Sequence, residues 1–129
     1  SMVVTCKDVL TSYDVLCYVH DKKSKWMHPH RAKDFMYHCM ECMLSTKQYV
    51  ANVLDFFRKN ERCGMLVPPT LDFGFFSVLG AETARNEASI KQAYEMMKLT
   101  CPLDDNPVAS FGNYFWARGE ALKPVFNHK

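Results

Sequence analysis

The stretch YDVLCYVHDKKS, residues 13 to 24, constrains the fold of this chain more than any other. Its apolar run, Val15-Leu16-Cys17-Tyr18-Val19, is continuous rather than alternating. A strand open to water on one face alternates apolar and polar residues, whereas a continuous run reads as a strand covered on both faces. Such a strand, read over residues 13–20, needs packing layers above and below it. The run then stops abruptly in a His, a carboxylate, two ammonium groups and a hydroxyl.

The rest of the chain supplies candidate layers. Over residues 30–44, Phe35, Met36, Cys39, Met40 and Met43 recur at three and four, which gives a helix one apolar face. A second helix follows almost at once. Ser45 with Gln48 has the capping-box spacing, and Tyr49, Val50, Val53, Leu54 and Phe57 form the buried stripe. Arg58-Lys59 suit the negative end of its dipole, and Gly64 lies just beyond. Residues 64–67 read as a short strand stopped by Pro68-Pro69. LDFGFFSVLG, within residues 70–85, reads as an irregular aromatic loop whose residues 71–76 cover a further part of a parent protein. A third helix is expected over 86–99, turn chemistry over 101–107, a strand over 111–117 and a short helix from Glu120 to Phe126, limited by Pro124. Strands separated by helical patterns predict an α/β fold, a mainly parallel sheet flanked by helices.

Composition narrows the classes. At 129 residues the chain has the size of one domain, and 48% hydrophobic residues suffice for a core. A net charge of +2 is too small to mark a nucleic-acid binder. No apolar run approaches the roughly 20 residues of a membrane span, and no signal peptide is visible. A cytoplasmic protein, peripheral to the inner face of the membrane, is expected. Ser1-Met2 reads as the remnant of a tag, and the chain as a fragment of a longer protein. The six cysteines read as reduced thiols, since a core this apolar needs no disulfide staples. His28, His30 and His38 with Cys39 and Cys42 offer one Cys-x-x-Cys without the second paired set of a zinc site, so no metal ligands are assigned.

In open α/β sheets, ligands bind just outside the carboxyl ends of the strands. His20-Asp21-Lys22-Lys23-Ser24 would lie at such an end. Lys22 and Lys23 can neutralise a phosphate as point charges, and Ser24 can donate to one of its oxygens. Asp21 can hold a metal or orient a sugar hydroxyl, and His20 is of the residue type whose unperturbed pKa suits a general acid or base. The plain alternative is a solvated turn. Trp26 and Arg31 follow closely and can extend a sugar and phosphate surface, or merely pack a loop. In a second cluster, FGNYFWARGEALKPVF, Asn113, Trp116 and Arg118 offer amide, ring and guanidinium to a ligand, against a reading as core aromatics plus one surface Arg.

The two clusters, with GMLVPP between them, resemble the rhamnan synthesis protein F family, whose members assemble rhamnose-rich surface polysaccharides. His20, Lys22, Lys23 and Ser24 match its His-x-Lys-Lys-Ser motif; Gly64, Met65 and Pro68 match its second motif. Phe115, Trp116, Arg118, Ala121, Leu122, Lys123 and Pro124 match the third. Asp21 stands where Thr is common, and Asn113-Tyr114 where a small residue and Met are usual. The resemblance spans Tyr13 to Val125. It implies a glycosyltransferase resembling part of a nucleotide-diphospho-sugar transferase fold, with dTDP-rhamnose as donor and a glycan or lipid-linked glycan as acceptor. It places His20-Asp21-Lys22 where such enzymes carry an Asp-x-Asp motif for Mg²⁺ or Mn²⁺. Lys22 and Lys23 would then neutralise the leaving diphosphate. Two alternatives stand beside it: a non-catalytic carbohydrate- or partner-binding module, and a phosphate-binding regulatory domain.

Overall fold

The computed structural model describes residues 6, 10, 12–21, 28–69, 87–103 and 110–127. Lys22, Lys23, Ser24 and Trp26, the aromatic stretch 71–76 and most of the expected 101–107 turn lie outside the described residues. The elements run β1 (Val15–Tyr18), α1 (Pro29–Leu44), α2 (Lys47–Lys59), β2 (Met65–Leu66), α3 (Glu87–Met96), a single 3₁₀ turn (Phe111–Asn113), β3 (Phe115–Arg118) and α4 (Gly119–Asn127).

The sheet is antiparallel, not mainly parallel, and with three strands it is not the expected part of a nucleotide-diphospho-sugar transferase fold. Its order is β1-β3-β2, and β3 pairs antiparallel with both neighbours. Val15 lies opposite Arg118 and Tyr18 opposite Phe115 on one side of β3; Met65 lies opposite Ala117 on the other. Because both outer strands oppose β3, β1 and β2 point the same way. Their long helical connection through α1 and α2 does join two strands of like direction, as a helical crossover should. What overturns the parallel expectation is β3, the last strand in the chain, which fills the gap between them in the opposite sense.

Alternation along β3 sorts the two layers. Tyr114 and Trp116 turn towards α1 and α2, in a core with Phe35, Cys39, Met43, Val53 and Phe57. Phe115 and Ala117 turn the other way, onto Leu16 of β1 and Leu122 and Phe126 of α4. The neighbouring strand divides the same way: Val15, Cys17 and Val19 join the first core, Leu16 and Tyr18 the second. The continuous apolar run therefore does have cover on both faces. Each large side chain withdrawn from water contributes on the order of 2 kcal/mol.

The two helices are punctuated locally. Pro29 opens α1, where its fixed φ suits the first turn and its missing N–H costs nothing. Phe35, Cys39 and Met43 recur every four residues on its inner face. The cap of α2 is Thr46, whose Oγ1 accepts from the Tyr49 N–H at 3.0 Å. The expected Ser45–Gln48 box does not form. Ser45 still has helical backbone angles and donates to Glu41, while Gln48 donates to Asn52. All six cysteines are free thiols. The helix α4 runs through Pro124 to Asn127.

Candidate functional site at the carboxyl end of the first strand

The strand β1 ends at Tyr18, and the chain continues to His20 beside the turn that leads into β3. There the backbone of Gly112 and Asn113 is left-handed, with φ of 69° and 61°. Gly adopts that region without strain, and Asn is among the few other residues that tolerate it. A side chain at Gly112 has no room: a Cβ there would lie 2.8 Å from the Phe35 ring. Ser110 braces the turn, its Oγ donating to the Tyr114 carbonyl at 2.6 Å.

His20 and this turn hold each other twice. The His20 Nε2 lies 2.5 Å from the Gly112 carbonyl oxygen. A carbonyl only accepts, so Nε2 carries a proton, and Nδ1 is the nitrogen left facing away from this bond. In return the Tyr114 hydroxyl donates to the His20 carbonyl at 2.7 Å. The two rings stack with centroids 4.9 Å apart, and Tyr18 lies 5.9 Å from the imidazole on another side. Tyr114 is fully buried. Burial chiefly pushes its phenol pKa up, with smaller contributions from Cys39 and the Asp21 carboxylate. Asp21 itself is exposed, as is Asn113.

Thus His20, Asp21 and Asn113 share one end of the sheet. Arg31 lies exposed in the first turns of α1, which opens directly after the stretch 22–27. Trp116 and Arg118 are elsewhere. Trp116 is 7% exposed, and its Nε1–H donates to the Met43 carbonyl in the last turn of α1 at 3.1 Å. Arg118 sits at the far end of β3, where Nε donates to the Cys63 carbonyl at 2.9 Å and Nη2 to those of Phe57 and Asn60. Its guanidinium also covers the Phe57 ring. Trp116 thereby satisfies a carbonyl in the last turn of α1, and Arg118 ties the end of α2 to the turn that follows it, adding to the main-chain donors of the Phe57 and Asn60 carbonyls.

The residues that build the strand-end site include three the sequence reading left out: Ser110, Gly112 and Tyr114. The pair Gly112-Asn113 carried a usable signal, because a glycine inside an alternating pattern marks a break in the strand. The side-chain chemistry at this end is one exposed carboxylate, one amide and an imidazole whose Nε2 is committed to Gly112. Among the described residues no group of three or more His, Cys, Asp or Glu side chains is placed to hold a metal ion. Asp21 brings a single carboxylate beside two lysines in sequence, a donor set that fits Mg²⁺ or Mn²⁺ poorly.

Among the described residues no helix is long and apolar enough to cross a membrane. No curated protein and no solved structure matches this chain. A family model does, over residues 1–129, and its description is rhamnan synthesis protein F. The chain therefore belongs to the rhamnan synthesis protein F family, and its role lies in rhamnan synthesis.

Proposed function

We propose that the chain is a glycosyltransferase domain whose chemistry is centred on the carboxyl end of β1. It moves a sugar from a nucleotide-diphospho donor, dTDP-rhamnose, to a glycan or lipid-linked glycan acceptor. The observation that carries this reading is the double latch between His20 and the Gly112–Tyr114 turn. It fixes where Asp21 leaves the sheet, and Lys22, Lys23 and Ser24 follow Asp21 in sequence.

In the reaction an acceptor hydroxyl attacks the anomeric carbon. The bond from that carbon to the diphosphate oxygen breaks, and the diphosphate departs with the electron pair. The exposed Asp21 carboxylate takes the acceptor proton. His20, with Nε2 committed to Gly112, positions that carboxylate. Lys22, Lys23 and Arg31 offset the charge that develops on the leaving diphosphate, and Ser24 donates to one of its oxygens. No step is routed through a metal ion.

The test is an NMR titration of the chain with dTDP and with dTDP-rhamnose, beside transferase assays of the full-length parent. Saturable shifts lost in a Lys22→Ala/Lys23→Ala variant, with loss of transfer, are expected. Full transfer by that variant would end the proposal. The small antiparallel sheet favours one rival, a non-catalytic carbohydrate-binding module. That module would bind sugar and ignore the nucleotide.

A further inference from the structure

The end of the sheet opposite His20 holds a cleft of about 710 Å³ between the start of β1, the last turns of α2 and the start of α4. Its volume lies in the range of small-molecule sites. Tyr13, at its mouth, is 61% exposed, and Leu54 is 44% exposed. Asp14, Glu61 and Glu120 also line it, with Arg58 and Arg118.

The cations of this cleft are already engaged. Arg58 pairs with Asp55, and Arg118 gives its donors to the carbonyls of Phe57, Asn60 and Cys63. Glu120 pairs with Lys123. Asp14 and Glu61 make no ion pair among the described residues, and both are exposed. The groups left for a ligand are therefore two carboxylates that accept, a phenol, and apolar surface on Tyr13 and Leu54. With Glu120 the lining sets three carboxylates against Arg58 and Arg118, both already partnered, a balance that disfavours a diphosphate. It suits a neutral molecule that donates hydroxyl hydrogens and also presents apolar C–H surface.

We propose that this cleft is a second, non-catalytic site that holds a neutral glycan of 6-deoxyhexose units. The Tyr13 ring carries the apolar face of one sugar, Asp14 and Glu61 accept from its hydroxyls, and Leu54 receives the methyl group. The proposal rests on the cleft and on the chain's place in rhamnan synthesis, not on the transferase reading. From Tyr13 to His20 the extended chain covers roughly 20 Å, so the two sites are separate in any binding map.

The experiment is a two-dimensional NMR titration of the chain with a rhamnose trisaccharide. Its counterpart bearing a 6-hydroxyl in place of each methyl, and inorganic pyrophosphate, serve as comparison probes. Saturable shifts are expected at the amides of residues 12–15 and 61 with the trisaccharide, and none there with pyrophosphate. Tyr13→Ala should weaken binding about tenfold or more, and Leu54→Ala should erase the preference for methyl over hydroxymethyl. Both side chains are exposed, so both variants keep the spectrum of the folded chain. Absence of saturation by about 20 mM sugar, a millimolar affinity being the least that would count, overturns the proposal. So do shifts confined to residues 20, 21 and 113, or wild-type binding by Tyr13→Ala. Failure of the transferase reading is seen separately, as loss of dTDP binding.

Discussion

The two ends of β3 carry similar kinds of side chain and use them in opposite ways. At the Arg118 end, an indole and a guanidinium reach back onto the ends of α1 and α2, and their donors are consumed by main-chain carbonyls. At the Tyr114 end, the hydrogen bonds of an imidazole and a phenol brace a turn and leave a carboxylate and an amide facing water. Trp and Arg are residue types that often recognise ligands, yet here they hold helices. The difference teaches that a polar side chain is available for chemistry only after the fold's own unpaired carbonyls have been counted.

The largest expected effect sharpens that contrast at the helix-capping end. Trp116→Ala removes a buried ring that is part of the first core, together with the Met43 bond, and should cost about 4 kcal/mol. Urea denaturation checks it, and a loss near 1 kcal/mol would break the comparison. Next comes Arg118→Met, which takes a charged donor from three carbonyls, of which those of Phe57 and Asn60 keep main-chain donors, and should cost about 2 kcal/mol. Lys in the same place should not restore it, because one ammonium cannot fan out to carbonyls of Phe57, Asn60 and Cys63 at once.

Much of the fold was legible locally and little of this division was. Periodicity marks α1 through Phe35, Cys39 and Met43, and the unbroken apolar run marks a strand covered on two sides. Strand order was not legible. Whether FWAR joins an edge or enters the gap between β1 and β2 leaves the local pattern unchanged, so helices between strands suggested a parallel sheet that the chain does not form. The task of Trp116 was equally hidden, since its acceptor lies 73 residues away. Capping shows the same limit at short range. Ser45 and Thr46 are both good caps by type, and only the backbone angles decide that Thr46 is the one used.

At the other end of β3 the effects should be smaller, because turn geometry rather than core volume is at stake. Gly112→Ala forces a Cβ into the left-handed region and against Phe35, for a cost of about 2 kcal/mol. A thermal midpoint unchanged in this variant would show that the turn is not held as described. Tyr114→Phe keeps the stacked ring and loses the bond to the His20 carbonyl, worth about 1 kcal/mol at neutral pH. Its pH dependence has a definite sign. The folded-state pKa of Tyr114 lies above its unfolded value, so the folded protein holds the phenolic proton longer. The stability this contributes is complete below the unfolded pKa of about 10 and is lost as pH rises from there towards the raised pKa. The gap between wild type and Tyr114→Phe should therefore narrow above that pH. A gap that widens would contradict the burial of the phenol.

Asp21→Asn should change stability least, by less than about 0.5 kcal/mol, because the side chain is exposed and lies outside the latch. That is the sharpest form of the comparison. Arg118 should be costly to the fold while its donors stay out of ligand binding; Asp21 should be nearly free for the fold and indispensable to the proposed transfer. Substituting Asn keeps shape and hydrogen-bonding reach while removing the base, so a proton-accepting role predicts a fall of at least about 100-fold in turnover. Donor binding by the chain should be retained, since the phosphate contacts are assigned to Lys22 and Lys23. If Asp21→Asn instead lowered the denaturation midpoint as far as Gly112→Ala does, the carboxylate would belong to the bracing of the turn. The strand end would then resemble the Arg118 end, a place where polar groups serve only the fold.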